Sequence, residues 1–158
     1  MGWINISSIY DHIDYLYSWN GDYVPGNDGD IADTASDQIQ SLVQEIQTVA
    51  NSSLGDWEEN PSYAASLDDF VGEPNNRDTA RAIVDRLTTS LIVNNVVKAD
   101  DLSIRVIPIE RSKVLIMVSV SAASTPNNSL VQGEFAVVSI VYDYLERGIM
   151  FLDVPPSN

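Results

Sequence analysis

Leu102-Ser103-Ile104-Arg105-Val106-Ile107-Pro108, followed by Glu110-Arg111-Ser112 and then Lys113-Val114-Leu115-Ile116-Met117-Val118-Ser119-Val120, decides the fold. Leu102, Ile104 and Val106 alternate with other residues, as do Val114, Ile116, Val118 and Val120, and this period of two presents one apolar face along each run. The polar turn between them joins the runs as an antiparallel hairpin. Downstream, the tract from Phe135 to Tyr144 is β-branched and aromatic on both faces, the composition of a strand. Gly148 precedes a last short run, Ile149 to Val154, which Pro155-Pro156 stops.

Upstream of the hairpin the period changes. Between Thr34 and Ser53 the apolar residues Ile39, Leu42, Val43, Ile46, Val49 and Ala50 recur at three- and four-residue spacing, the pattern of one helical face. Thr34 and Ser36 are candidate N-caps, Asp37 suits the positive end of the helix dipole, and Gly55 closes the element. After Asn76 a second helix carries Ala80, Ile83, Val84, Leu87, Leu91 and Ile92 on one face and ends near Asn94-Asn95. The connector from Asp56 to Asn75 holds Trp57, Tyr63, Leu67 and Phe70, too much apolar bulk for a disordered linker, so it is expected to pack on the core. Nearer the N-terminus, Tyr15, Tyr17 and Trp19 alternate before Asn20-Gly21, which predicts a hairpin with a weaker return strand. Ala122 to Leu130 has the composition of a mobile hairpin tip. No internal repeat is read. The expected class is α+β: two amphipathic helices packed on a mainly antiparallel β-sheet, with an N-terminal β-hairpin. Residues 1–33 form an arm and hairpin, and residues 34–158 the main domain of a single compact unit.

Composition limits function. A chain of 158 residues buries roughly 70% of its unfolded surface, enough for one core without staples. It has no cysteine, so disulfides and thiolate metal sites are excluded. Eight basic residues against 23 acidic ones give a net charge of −15, which repels nucleic-acid phosphates and anionic membranes. Such acidity serves solubility or docking on a basic partner. The N-terminus lacks a secretory pattern and no stretch is long enough to span a bilayer; Trp3 and Ile4 read as a packing arm.

Catalytic patterns are sparse. His12 is the single histidine, and no Gly-x-Ser-x-Gly elbow offers it a nucleophile. Asn27, Asp28, Asp30 and Asp33 gather oxygen ligands but lack an EF-hand's glycine position and terminal glutamate, so a turn is the reading. Glu58, Glu59, Asp68, Asp69 and Glu73 lie among Trp57, Tyr63 and Phe70, where paired carboxylates and aromatic platforms could serve sugar hydrolysis. No phosphate-cradling loop occurs.

The order of short motifs adds a resemblance. Gly29-Asp30-Ile31-Ala32 leads into a helix containing Gln38, then Leu54-Gly55-Asp56-Trp57, Asn60-Pro61-Ser62-Tyr63 and Leu67-Asp68-Asp69-Phe70-Val71-Gly72, then a second helix running into Ile104-Arg105-Val106. Over roughly residues 14 to 121 the chain resembles the small baseplate wedge family of contractile-tail phages and related injection machines, labelled lysozyme-like and also read as sheath initiators. It departs from the family where many members carry Glu-Pro-Arg after the second helix; here Val93-Asn94-Asn95-Val96-Val97-Lys98 stands instead. The resemblance implies a non-enzymatic structural protein of the virion's tail baseplate, made in the host cytoplasm, with six copies around the tube and no cofactor. Its partners would be the tail sheath protein, whose terminal arms add strands to its sheet, and other baseplate wedge and hub or tube proteins. Strand addition points to the late strands, so Phe135, Val137, Ile149 and Phe151 are interface candidates. Trp57, Tyr63 and Phe70 are candidates for core or intersubunit packing. The alternative reading is a peptidoglycan-degrading enzyme of the baseplate.

Overall fold

The computed structural model describes residues 15–18, 22–34, 38–121, 135–145 and 148–152. Two helices, α1 (Gln38–Asn51) and α2 (Arg77–Val93), precede four strands: β1 (Leu102–Pro108), β2 (Lys113–Ser121), β3 (Phe135–Asp143) and β4 (Gly148–Leu152). The strands form one antiparallel sheet in the order β1-β2-β3-β4, and the helices pack on one of its faces, an α+β arrangement. Val114, Ile116, Val118 and Val120 of β2 are all buried, and the register sets them beside Tyr142, Ile140, Val138 and Ala136 of β3. Against this face α1 supplies Leu42, Ile46 and Val49, and α2 supplies Ile83, Leu87 and Leu91. Each such side chain contributes about 1.5–3 kcal/mol by leaving water, which is why the two-residue and helical periodicities select opposite walls of one core.

The helix boundaries follow local chemistry. Asn76 caps α2, its side chain accepting hydrogen bonds from the Asp78 and Thr79 amides at 3.0 and 2.9 Å, and so satisfies two of the first-turn donors that have no helical partner. Past the other end, Asn95 adopts a positive φ of 56°, a conformation that asparagine tolerates. Helix α1 is described from Gln38, and Thr34 is buried four residues upstream. The Ser36 and Asp37 cap positions, the Trp19-Asn20-Gly21 turn, the Met1–Ile4 arm, His12 and the Ala122–Leu130 tip lie outside the described residues, as do the side chains of Ile39, Phe135, Val137, Ile149 and Phe151.

The connector packs in part as expected. Ala64, Ala65 and Leu67 are buried, and Tyr63, Phe70 and Val71 lean on the core. Leu67–Phe70 form a short 3-10 turn, held where the Tyr142 hydroxyl donates to the Leu67 carbonyl at 2.7 Å.

The N-terminal segment is more than a hairpin. Tyr17 pairs with Tyr23, Pro25 with Ile31, and Asp33 returns to pair with Tyr15. Three amides close a ring: Leu16 donates to Ala32, Ala32 to Val24, and Val24 to Leu16, at 2.7, 2.8 and 3.0 Å. These residues stand eight apart, and the sequence shows why: Tyr15-Leu16-Tyr17-Ser18-Trp19-Asn20-Gly21-Asp22 is followed by Tyr23-Val24-Pro25-Gly26-Asn27-Asp28-Gly29-Asp30 and by Ile31-Ala32-Asp33. The absence of a repeat expected from the sequence is therefore corrected. A degenerate octapeptide ending in Gly-Asp winds the chain into a triangle, and the third residue of each unit pairs with the first of the next.

Candidate interaction surfaces

The sheet has two edges, β1 and β4, and their backbone polarity follows from two hydrogen bonds beyond the strands. The Ile109 amide donates to the Lys113 carbonyl at 3.1 Å. By the alternation of antiparallel ladders, Ser103, Arg105 and Ile107 bond toward β2, while Leu102, Ile104 and Val106 direct N–H and C=O outward. Pro108 falls at an outward position, where its missing N–H costs no ladder bond. The Tyr144 amide donates to the Ser112 carbonyl at 2.9 Å, so Ser139, Val141 and Asp143 turn toward β4. Met150 faces Val141 in that ladder, and Ile149 and Phe151 direct their backbone groups away from the sheet. Within the described residues β4 pairs with Ser139–Asp143; by the same alternation Phe135 and Val137 turn their backbone groups toward the β4 side of β3. Among the described residues no strand pairs with β1 or β4 on its outer side. Of the four late-strand candidates, Ile149 and Phe151 thus stand at the outer edge described for the sheet, while Phe135 and Val137 belong to β3, which β2 and β4 flank.

The aromatic candidates separate. Tyr63 and Phe70 are half-buried against the core, and Arg86 lies over the Phe70 ring at 5.6 Å while pairing with Asp69 at 3.0 Å. Trp57 is 47% exposed, with its indole N–H donating to the Ser52 hydroxyl at 3.0 Å and its ring edge-on to Tyr63 at 6.3 Å. Core packing does not describe Trp57: the connector turns outward over residues 53–62 before re-entering the core at Ala64, leaving the indole on the surface. Of the connector carboxylates, Asp68 accepts from the Ser53 hydroxyl at 2.8 Å, Asp69 is paired with Arg86, and Glu58, Glu59 and Glu73 are exposed. The Asn27–Asp33 cluster is a turn: Asp28 accepts from the Asp30 amide and Asp30 from the Ile31 amide, at 3.2 and 2.8 Å. Gly26 permits it, since a Cβ there would lie 2.8 Å from the Asp28 Oδ1 and 3.2 Å from the Asp30 carbonyl.

Two features escape a reading by pattern. Gln44 sits on α1 as an ordinary polar residue, yet it is 8% exposed. Its amide accepts from the Tyr17 N–H at 2.8 Å and donates to the Tyr15 carbonyl at 3.0 Å, standing in for a neighbouring peptide group and fastening the triangle to the helix. Charge distribution is the second: none of the eight Lys and Arg residues precedes Arg77, whereas 14 of the 23 acidic residues do. That asymmetry was available to a simple count along the chain.

No family model, curated protein or solved structure matches this chain. No helix among the described residues is long and apolar enough to cross a membrane.

Proposed function

We propose that this protein is a structural component of a contractile-tail baseplate that starts sheath assembly by accepting strands from sheath subunits. The motif order from Gly29 to Val106 supports the reading, and the observation that carries it furthest is the outer edge of β4, at which Ile149 and Phe151 turn their backbone groups outward. A strand laid there gains backbone hydrogen bonds of roughly 0.5–1.5 kcal/mol net each, while alternate side chains set register. Arms docking on six copies around a tube then act together, so weak single contacts become a durable ring. The alternation also defines the test. Phe151→Pro removes an outward N–H and no bond of the sheet itself, whereas Met150→Pro removes a donor to Val141 and serves as the control for damage to the fold. Mixing the purified chain with the neighbouring sheath protein should give complexes by sedimentation and negative-stain microscopy, and Phe151→Pro should weaken them with its circular dichroism retained. Absence of any complex at micromolar concentrations, or full assembly by a folded Phe151→Pro variant, refutes strand addition at this margin.

A further inference from the structure

We propose that the face of the N-terminal triangle bearing Tyr15, Tyr17 and Tyr23 is a docking surface for a basic, arginine- or lysine-bearing segment of a partner protein. This surface is separate from the sheet margin and does not depend on it. Residues paired across antiparallel bridges point to the same side, so Tyr17 with Tyr23, Pro25 with Ile31, and Tyr15 with Asp33 share one face of the triangle. The contacts agree: the Tyr15 and Tyr23 rings meet edge-on at 6.0 Å, and those of Tyr17 and Tyr23 lie 4.8 Å apart. Leu16, Val24 and Ala32, the half-buried residues of the ring, belong to the opposite side. The patch is nevertheless exposed, with Tyr15 at 53%, Tyr23 at 54% and Ile31 at 39%. A shallow groove of about 270 Å³ runs along Tyr23, Val24, Pro25, Gly29, Asp30 and Ile31.

Aromatic rings at the centre and polar groups at the rim make the anatomy of a protein interface, in which tyrosine is a favoured anchor. The charge beside the groove decides the partner's chemistry. Asp30 lines it with Tyr23 and Ile31, and Asp28 stands in the same turn; both are exposed, and each commits one carboxylate oxygen to a backbone amide of the turn. No lysine or arginine occurs before Arg77, so the negative potential of this segment is not neutralised from within it. An arginine laid on a tyrosine face is attracted by the ring's quadrupole and reaches carboxylates at the same time. A neutral partner would leave those charges unused, and an acidic one would be repelled. The triangle needs no reordering to bind, since Gln44 already fixes it to α1.

The test titrates the isotope-labelled full chain with a twelve-residue peptide alternating arginine and alanine, and with its citrulline counterpart, following backbone amides by NMR. The arginine peptide should shift amides within residues 15–33, and binding should weaken when salt is raised from about 50 to 300 mM, where screening shortens the reach of the field. Tyr23→Leu should weaken binding about tenfold while Tyr23→Phe retains it, because the ring face is the element required. Replacing Asp28 and Asp30 together by Asn should cause a loss of similar size, and amides of α2 and β2 that keep their wild-type positions will show the variants folded. Equal shifts around Glu58 and Glu59 would reveal a general polyanion effect and overturn the proposal. So would equal binding of the citrulline peptide, unaltered affinity in Tyr23→Leu, no binding, or stronger shifts of the same amides by a neutral oligosaccharide, which would make the patch a sugar platform.

Discussion

Tyr142→Phe and Tyr144→Phe are expected to move stability in opposite directions, although the two rings are neighbours packed edge-on at 5.2 Å. Both tyrosines are buried, and either phenylalanine preserves the ring contact. The hydroxyls differ. That of Tyr142 donates to the Leu67 carbonyl at 2.7 Å and ties β3 to the connector. Its removal leaves a buried carbonyl short of a donor and should cost about 1–3 kcal/mol. The Tyr144 hydroxyl is buried in a residue only 2% exposed and has no hydrogen-bond partner among the described residues. Deleting it removes a desolvated polar group, so Tyr144→Phe should be neutral or stabilising by up to about 1 kcal/mol. In a chain of this size each kcal/mol displaces the thermal midpoint by about 2–4 °C. Alkaline pH adds a second signature. Burial raises the Tyr144 pKa above its ordinary 10.0, because the ionised form would lose its hydration. A folded pKa raised above the unfolded one gives a contribution intact below pH 10 and lost as pH climbs through the folded value. Wild type should therefore lose ground to Tyr144→Phe above pH 10, as measured by urea unfolding at a series of pH values. Equal destabilisation by the two variants at pH 7, or parallel alkaline losses in wild type and Tyr144→Phe, would refute the reasoning.

Two other outcomes follow from the geometry. Asn76→Ala deletes the acceptor of the Asp78 and Thr79 amides and should cost about 1 kcal/mol in chemical unfolding, with Asn76→Asp close to wild type. Gln44→Ala removes both bonds that fasten the triangle to α1. Hydrogen exchange at Leu16, Val24 and Ala32 should accelerate roughly tenfold or more, while the β2 amides keep their protection.

The motifs with a strong local cause were legible. Alternation in residues 102–120 placed β1 and β2 because the side chains of a strand must divide between core and opposite face. Three-and-four spacing placed α1 and α2, and Asn76 and Asn95 marked the ends of α2 because their roles need only neighbouring backbone. The aromatic connector was legible as packed but not residue by residue: Trp57 and Tyr63 have similar chemistry, and only the outward turn of residues 53–62 separates them. The late strands were legible as candidates for the sheet edge, but which of their backbone groups turn outward depends on the register between β3 and β4.

What the sequence by itself determined is thus the class of the fold, the core-facing stripes of α1, α2, β1 and β2 and the approximate bounds of its elements, since periodicity acts within a single helix or strand. Tertiary structure alone decided the strand order, the outward direction of the Ile149 and Phe151 backbone groups, the burial of Gln44 and the closure of the N-terminal triangle. Each of these is a contact between segments distant along the chain, such as Leu16 with Ala32 or Tyr17 with Gln44. Their free energy appears only when both partners are already held in place, so no local pattern of residue types encodes them.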